Sequence, residues 1–441
     1  MNSSDLKKLD FSCKSDFFPG GTFISPEGEI FNDLPEFRKI TWSLSPEPES
    51  YIRFEMWLPK NSSIFVGAGN GGMAGNIPYS RLAQHIKSGY AVAASDMGTS
   101  RGMKSGIECP AVWRDFGWRA THIMTVTAKE VFNAVYGRMP EFSYFSGSST
   151  GGQQAFSEAQ RFPKDYDGIL CGAPASNRIR LHTYFLWNFI RSKDINRRPL
   201  FDKSLCEKIH RSAVDFCKIR FSGENGADFV SVPRCDSDTV NEFISFLKKK
   251  YPFLTPEQSD ALNKIYSGPE NIFNGIPMGS ELSGCSLFEM SSASDCPHSY
   301  PFYWALGENF DLFGFDFSED FKTVFRKLSS DMDATDTDLT EFSENGGKII
   351  IVSGGSDAVV PYFDTLEYCN NADANGCLRF WLAPSYSHNI CALTPDIITA
   401  ENGDSMFETL RKWREEGTVP DCLRVCLADG SGTRRIKPIV F

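Results

Sequence analysis

Apolar and polar residues follow two different patterns over the first part of the chain. Short continuous apolar runs, bounded by turn-forming residues, predict buried strands at 51–58, 62–67, 90–95 and 143–146. Apolar residues that recur at helical spacing predict helices at about 79–88, 116–137 and 150–161. Strands that alternate with helices in this order form βαβ units. The pattern therefore predicts an α/β fold with a mainly parallel sheet.

The same alternation returns near the C-terminus and is absent from the middle of the chain. Strands and helices are predicted there, in turn, at 347–352, 362–370, 378–383 and 404–416. Residues 177–342 instead have the pattern of helices and loops, and the acidic run 329–345 predicts a solvated connector. We therefore predict one sheet domain formed by residues 1–176 and 343–441, interrupted by an inserted domain at 177–342.

The composition excludes several classes of protein. The chain has 441 residues, 41% of them hydrophobic and 23% charged, and is long enough to bury a core without disulfides or metals. Its 45 Lys and Arg against 56 Asp and Glu give a net charge of −11. That charge argues against binding nucleic acid or anionic lipid through bulk electrostatics. No apolar run reaches the roughly 18 residues that a membrane span needs.

The cysteines and the first residues bear on the cellular compartment. Thirteen is an odd number of cysteines, so at least one thiol is unpaired within the chain, and no CxxC pair with zinc-binding spacing occurs. The opening residues, MNSSDLKKLDF, lack the apolar segment of a secretory signal. We expect a cytoplasmic protein with mostly reduced thiols. A secreted protein from which a leader had been removed is the alternative.

A glycine-rich turn between a predicted strand and a predicted helix offers a nucleophile. Residues 147–151, Gly-Ser-Ser-Thr-Gly, satisfy the pattern G-x-S-x-G with Ser149 at its centre. In this context the chain turns so sharply that the central residue is strained, and small neighbours let the backbone pack. The hydroxyl is then exposed at a helix N-terminus, where N–H groups favour negative charge. We predict that Ser149 is a catalytic nucleophile.

A serine nucleophile needs a base, and the base needs an orienting acid. Of six histidines only His388 follows a late predicted strand, and Asp357 ends the strand before it. Asp364 is a competitor for the acid, but it falls within the next predicted helix. For the remaining histidines we expect packing or hydrogen bonding in helices (His85, His122) or a place in the insertion, where substrate contact stays an alternative (His182, His210, His298).

Acyl transfer also requires donors for an oxyanion. The loop 67–72, Gly-Ala-Gly-Asn-Gly-Gly, follows an early strand, so the N–H of Gly71 or Gly72 is a candidate donor beside that of Thr150. The same glycines also trace a G-x-G-x-x-G dinucleotide loop, with Asp96 as the acidic residue at the end of the next strand. That interpretation leaves the nucleophile turn without a role, so we favour a hydrolase.

Several segments of the chain resemble the tannase and feruloyl esterase family of α/β-hydrolases. The similar segments are 116–122, 136–137, 144–147, 149–154, 158–163, 166–169, 172–175 and 413–420, with only 254–258 inside the insertion. The resemblance implies an α/β-hydrolase fold in which the insertion 177–342 is a lid. It also implies the triad Ser149, Asp357 and His388. In the family a cysteine precedes the serine and another follows the histidine, and these two cysteines form a disulfide.

The chain departs from the family pattern at those two cysteines and at a calcium loop. Ser148 and Asn389 stand where the bridged cysteines are expected, and we hypothesise that a hydrogen bond between them replaces the bridge. In 217–226 Lys218, Phe221 and Asn225 stand where the family has aspartates, so we expect no structural calcium. We also expect no other metal and no cofactor. A disulfide between Cys217 and Cys235 would be a remnant of that loop.

The expected function is hydrolysis of a small-molecule phenolic ester, of feruloyl, caffeoyl or galloyl type, through an acyl-enzyme. Aromatic clusters in the lid suit a planar acyl group, although most such rings are expected to form the lid's own core: 184–187, 302–304 and 310–317. The alternatives are a hydrolase of another aromatic or acyl ester, an acyltransferase, and a non-catalytic binder on an esterase scaffold.

Overall fold

A nine-stranded mixed sheet organises the computed structural model, which describes residues 9–221, 236–372, 374–427, 430 and 432–441. The strands are β1 Lys14–Phe18, β2 Gly21–Ile24, β3 Ile30–Leu34, β4 Phe37–Leu44, β5 Ile52–Leu58, β6 Ile64–Ala68, β7 Ala91–Ser95, β8 Phe142–Ser148, β9 Gly168–Gly172, β10 Lys348–Gly354, β11 Leu378–Ala383, β12 Ile398–Ala400, β13 Leu423–Cys426 and β14 Thr433–Ile436. The helices are α1 Tyr79–Lys87, α2 Pro110–Arg114, α3 Ala120–Tyr136, α4 Thr150–Arg161, α5 Arg178–Arg191, α6 Lys203–Phe221, α7 Ser237–Lys250, α8 Pro256–Ser267, α9 Leu287–Ser292, α10 Tyr300–Leu306, α11 Glu319–Met332, α12 Thr340–Glu344, α13 Tyr362–Asn371 and α14 Met406–Glu416.

The sheet has a parallel half and an antiparallel edge. Its order is β1-β4-β5-β7-β6-β8-β9-β10-β11, and the strands from β7 to β11 along this order are parallel. The prediction of a mainly parallel sheet is confirmed. The parallel strands have their carboxyl ends at one edge of the sheet, so the loops that follow β6, β8, β10 and β11 meet there.

Both faces of the sheet are covered by helices, which explains why its central strands are apolar throughout. Helices α3, α4 and α13 pack on one face, and α1 and α14 pack on the other. Strands β6, β7 and β9 are buried at every position. A parallel sheet buried on both faces has strands without polar alternation, and this is the pattern that the sequence displays.

The segment between β9 and β10 is helical. Among its described residues it contains helices α5 to α12 and no β-strand. Its helices share one apolar cluster with the segment between β7 and α3, through Met97, Val112, Trp113 and Phe116. Trp304 of α10 lies so close to Gly106 that a Cβ there would be 2.1 Å from the Trp304 ring. The inserted helices and this early segment therefore form one packed body.

The acidic run 329–345 is not a solvated connector along its whole length. Met332, Ala334, Leu339 and Phe342 are buried within it, and its first residues complete helix α11. Its exposed acidic side chains alternate with these buried apolar ones, and a count of charges could not reveal that alternation. The prediction was wrong for the apolar positions and for Asp333, which is buried and accepts the N–H of Ile179. None of the described helices combines the length and the apolar character that crossing a bilayer requires.

Candidate active site

The turn between β8 and α4 has the strained backbone that the G-x-S-x-G pattern predicts. Ser149 has φ 58° and ψ −117°, a conformation that costs a non-glycine residue energy unless its surroundings impose it. A Cβ on Gly147 would lie 2.3 Å from the carbonyl oxygen of Gly151, and one on Gly152 would lie 2.6 Å from Pro174. The glycines are therefore required by close backbone contact, as expected.

Hydrogen bonds from the neighbouring strand hold Ser149 in this conformation. Its N–H donates to the carbonyl oxygen of Gly172 at 2.8 Å, and its own carbonyl oxygen accepts from the N–H of Ala175 at 3.0 Å. Both partners belong to the end of β9 and the residues just after it. The turn is thus attached to the sheet on the side from which the inserted segment departs.

Asp357 and His388 come together in the loops after β10 and β11. The Asp357 carboxylate is fully buried, with Oδ2 2.7 Å from Nδ1 of His388. Its Oδ1 accepts the N–H groups of Val359 and Val360 at 2.8 and 3.0 Å, so all its contacts fix one orientation. Asp364 instead lies in α13, where it accepts a hydrogen bond from Asn177 at 2.9 Å.

The electrostatic surroundings of His388 favour its protonated form. Burial alone lowers the pKa of an imidazole, but Asp357 and then Cys391 act in the opposite direction and raise the pKa of His388 well above its usual value. The Cys391 sulfur lies 3.6 Å from Nδ1 and 3.8 Å from Nε2 of the ring. A carboxylate that orients an imidazole and stabilises its charge is what general base catalysis requires.

Gly172 is the common neighbour of the Ser149 turn and the His388 loop. Its carbonyl oxygen accepts the Ser149 N–H and also lies 3.7 Å from the Cys391 sulfur. A Cβ on Gly172 would approach the Ser148 hydroxyl to 2.6 Å and the Cα of Cys391 to 3.3 Å. Among the described residues the Ser149 hydroxyl itself has no hydrogen-bond partner. Catalytic hydrogen bonds often tighten only when substrate is present.

The partner of Ser148 differs from the one hypothesised. Its hydroxyl donates to the carbonyl oxygen of Cys391 at 2.7 Å and accepts from Nη2 of Arg81 at 3.2 Å. The same Arg81 nitrogen donates to Cys391 O at 3.0 Å. Asn389 is exposed and accepts from Ser387 instead. The two loops are therefore joined by hydrogen bonds, as expected, but through Arg81 and Cys391.

A hydrogen bond from Thr150 connects the glycine loop after β6 to the Ser149 turn. The Thr150 hydroxyl donates to the carbonyl oxygen of Gly72 at 2.6 Å. The N–H of Asn70 donates to Oε1 of Gln154 at 2.8 Å. In the part of the chain that the structure describes, the N–H groups of Thr150, Gly71 and Gly72 have no acceptor. These three N–H groups are therefore free to donate to a bound oxygen atom, and their role as oxyanion donors stays a prediction.

A buried arginine supports this region and has no signal in the sequence. Arg178, at the start of α5, donates from Nη2 to the Thr150 hydroxyl at 3.1 Å and from Nη1 to the Tyr300 hydroxyl at 3.1 Å. Its guanidinium lies 5.0 Å from the centre of the Phe116 ring. The side chain is 2% exposed, so it supports the Thr150 hydroxyl from within the protein.

The dinucleotide alternative has no support at its acidic residue. The carboxylate of Asp96 is buried and accepts from Nε of Arg53 at 2.7 Å and from the N–H groups of Arg53 and Gly98. It is therefore committed to the protein and not presented to a ribose hydroxyl.

The remaining histidines have partners or are buried, and of the three in the insertion one, His298, lies close to His388. His85 is buried in α1, which lowers its pKa to about 3. His210 pairs with Glu281 at 2.8 Å, and His182 is 2.5 Å from the carbonyl oxygen of His298. Half-buried His298 is close enough to His388 to interact electrostatically with it.

The structure bears on only part of what was predicted for the cysteines. Free thiols are found at Cys13, Cys109, Cys171, Cys206, Cys285, Cys296, Cys369, Cys377, Cys391, Cys422 and Cys426. Cys217 lies in α6, but its proposed partner Cys235 and the calcium loop from residue 222 onward lie outside the described residues, so the disulfide stays a prediction.

Comparison with known proteins assigns the chain to a family. The model of the family described as "Tannase and feruloyl esterase" matches residues 39–280 and 299–440. Fold, site and match together define a carboxylic ester hydrolase with an α/β-hydrolase-like fold. The chain belongs to the tannase and feruloyl esterase family.

Individual relatives of the chain are named as feruloyl esterases. The chain is 27% identical over 461 residues to a probable feruloyl esterase B-2 of Aspergillus flavus, covering 93% of this chain and 85% of that one. It is 27% identical over 344 residues to feruloyl esterase B of Aspergillus niger, covering 75% of this chain and 64% of the other.

Solved structures share the fold. The crystal structure of feruloyl esterase B from Aspergillus oryzae superposes with a TM-score of 0.85 at 22% identity, covering 99% of this chain and 95% of that one. The tannin acyl hydrolase from Aspergillus niger gives a TM-score of 0.74 at 17% identity, covering 97% and 87%.

Proposed function

We propose that this protein hydrolyses phenolic acid esters through an acyl-enzyme formed on Ser149. The observation that carries the mechanism is the buried Asp357–His388 pair, 2.7 Å apart, beside the strained turn that presents Ser149. The substrate class rests on the family and on relatives that are named feruloyl esterases. A small ester with an aromatic acyl group is the substrate that fits both.

In the first step the Ser149 oxygen attacks the ester carbonyl carbon, and Nε2 of His388 takes the hydroxyl proton. His388 then gives this proton to the departing alcohol oxygen, which leaves the acyl group on Ser149. In the second step His388 activates a water molecule in the same way, and the acid is released. Asp357 keeps Nδ1 protonated throughout and stabilises the imidazolium.

The negative oxygen of each tetrahedral intermediate is proposed to accept the N–H of Thr150 and that of Gly71 or Gly72. The hydrogen bond from the Thr150 hydroxyl to Gly72 supports this role, because it sets the distance between the two donors. Arg178 donates a hydrogen bond to the same hydroxyl from the buried side. Donors held before the reaction need no rearrangement when charge develops, which makes them effective.

We propose that residues 177–342 are the lid over this edge of the sheet. The Tyr184 hydroxyl donates to the carbonyl oxygen of Ala358 at 3.1 Å, which links the lid to the loop of the catalytic acid. Tyr184, Phe302 and Trp304 are fully buried, in the apolar cluster that the lid shares with the segment before α3.

A panel of esters tests the proposed substrate class. We expect hydrolysis of at least one of methyl ferulate, methyl caffeate, chlorogenate and methyl gallate. Its kcat/KM, divided by the rate constant of the uncatalysed hydrolysis of the same ester, should exceed the corresponding ratio for p-nitrophenyl acetate. Liquid chromatography of the released acid gives the rate. Cleavage of the p-nitrophenyl ester alone would contradict the phenolic preference and leave the Ser149 mechanism standing.

The pH dependence of kcat/KM tests the role of His388. A general base must be neutral, so kcat/KM is expected to fall as the pH decreases through the pKa of His388. Because Asp357 raises that pKa, the midpoint of the acid limb is expected above the ordinary value of 6.5. In the variant Cys391→Ser the midpoint should move to lower pH. An acid limb well below 6.5 in the wild-type enzyme would contradict this assignment.

Removal of Arg81 tests the hydrogen-bonded link between the two loops. Arg81→Met keeps the length of the side chain but removes its donors to Ser148 and Cys391. We expect kcat to fall about 10-fold, equivalent to about 1.4 kcal/mol, with little change in KM, because the histidine loop is held less firmly. Ser148→Ala should cost less, since Arg81 still reaches Cys391. Wild-type kcat in Arg81→Met would refute the link.

A further inference from the structure

Three metal-ligating side chains meet between α3 and the loop after α4, away from the proposed catalytic residues. His122, Glu158 and Asp165 each offer one ligand atom, and these atoms lie within 4.8 Å of one another. Nδ1 of His122 is 2.8 Å from Oδ2 of Asp165. His122 and Glu158 lie in segments that resemble the family, yet the proposed mechanism gives none of the three a task.

Glu158 is the member of this cluster that the protein leaves unsatisfied. Its side chain is 1% exposed, no donor among the described residues reaches either carboxylate oxygen, and burial together with the neighbouring Asp165 carboxylate raises the pKa of Glu158 well above its usual value. Nearby Lys129 gives its hydrogen bond to the carbonyl oxygen of Asp165. A carboxylate buried in this way is expensive unless it is paired or coordinates a metal. Without a cation the carboxyl keeps its proton, and a metal ion that displaced the proton would find both oxygens free of protein donors.

The other two side chains are oriented toward Glu158 and accessible from outside. The Phe162 ring stacks on the His122 imidazole, with the ring centres 3.5 Å apart and the planes within 7°, which fixes the ring. The side chains of His122 and Asp165 are 28% and 18% exposed. An ion can thus enter past these two groups and reach the buried carboxylate behind them.

We propose that His122, Glu158 and Asp165 form a binding site for a divalent transition-metal cation, for which Zn²⁺ is the probe. One imidazole nitrogen and two carboxylate oxygens are ligands that Zn²⁺ accepts at about 2.0–2.2 Å, with water completing the coordination. The nitrogen ligand selects a transition metal over Mg²⁺ or Ca²⁺, which prefer oxygen. This proposal replaces the expectation of no metal.

The position of the site indicates a structural role. Glu158 lies about 14 Å along α4 from Ser149, at about 1.5 Å per residue. A metal ion there would join α3 to the C-terminal end of the helix that begins at the nucleophile turn. Because it binds only the folded protein, it should raise Tm with increasing metal concentration.

A second group of ligand-type residues must be separated from this one. Asp357, His388 and Cys391 also bring one ligand atom each within 4.8 Å. Both Asp357 oxygens, however, already have partners, in His388 and in the N–H groups of Val359 and Val360. Any weak binding there is removed by Cys391→Ser, which leaves the proposed site intact.

The test is titration of the full-length, EDTA-treated protein with ZnCl₂, followed by calorimetry and by Tm. We expect one equivalent of Zn²⁺ to bind in the wild-type protein and in Cys391→Ser. In Glu158→Gln, whose side chain has the same shape, affinity should fall at least 10-fold and the rise in Tm should disappear. His122→Asn should lose the preference for Zn²⁺ over Ca²⁺.

Three outcomes would overturn the site. These are no saturable Zn²⁺ binding in the wild-type protein, binding in Glu158→Gln equal to wild type, and loss of binding in Cys391→Ser alone. If Glu158→Gln does not fold, Asp165→Asn is used as the test variant. Asp165 is partly exposed, so its substitution leaves no buried polar group without a hydrogen-bond partner. Unchanged Zn²⁺ affinity in that variant would likewise refute the proposal.

Discussion

Replacement of Ser149 by alanine is expected to lower kcat on the order of 10⁶-fold for every ester that the wild-type enzyme cleaves. The change removes the only atom that can form the proposed acyl-enzyme, while the N–H donors and the binding surface remain. Steady-state hydrolysis of p-nitrophenyl acetate measures the loss. A fluorophosphonate probe should label the wild-type protein and leave Ser149→Ala unlabelled.

A matched variant separates the chemistry from the fold. Ser149→Gly is equally unable to form an acyl-enzyme, but glycine adopts a φ of 58° without the strain that a Cβ causes. We therefore expect Ser149→Gly to unfold at the same temperature as Ser149→Ala or a higher one. Turnover near the wild-type level in either variant would show that another residue is the nucleophile.

Replacement of Asp357 by asparagine is expected to lower kcat about 10⁴-fold. The asparagine side chain can still accept the N–H groups of Val359 and Val360, so the loop should keep its shape. It cannot, however, hold Nδ1 protonated or stabilise an imidazolium. The acid limb of kcat/KM should also move to lower pH, because the carboxylate that raises the pKa of His388 is gone.

Asp364→Asn is the control for this prediction. Asp364 lies seven positions later, and its carboxylate bonds Asn177 rather than His388. Its removal should change kcat by no more than about twofold, a free-energy change below about 0.5 kcal/mol. A large loss in Asp364→Asn together with near-normal activity in Asp357→Asn would reverse the assignment of the acid.

The sequence predicts a strand correctly where burial of that strand determines the types of its own consecutive residues. Strands β6, β7, β8, β10 and β11 were predicted because burial on both faces makes them continuous apolar runs. Strand β9, Gly168–Gly172, was missed because its five residues include a glycine at each end, which weakens the strand signal. Strand β4, which lies between β1 and β5, was missed because half-buried polar residues such as Arg38, Lys39 and Thr41 interrupt its apolar positions.

The same reasoning applies to the candidate site. Ser149 could be predicted because its strain demands glycines at fixed neighbouring positions. The partner of Ser148 could not, because Arg81 is distant in sequence and meets it only after α1 has packed on the sheet. Asn389 looked suitable beside His388, but the short 3₁₀ turn His388–Ala392 directs Asn389 outward and brings Cys391 inward.

The shared core of the inserted helices and the early segment 97–116 has a consequence for engineering. Trp304 packs on Gly106, and its indole N–H donates to the carbonyl oxygen of Met103 at 2.6 Å. A chimaera that imports residues 177–342 from another family member would therefore face a mismatched surface at Gly106. The transferable unit is discontinuous: both segments must be exchanged together if specificity is to move without loss of stability.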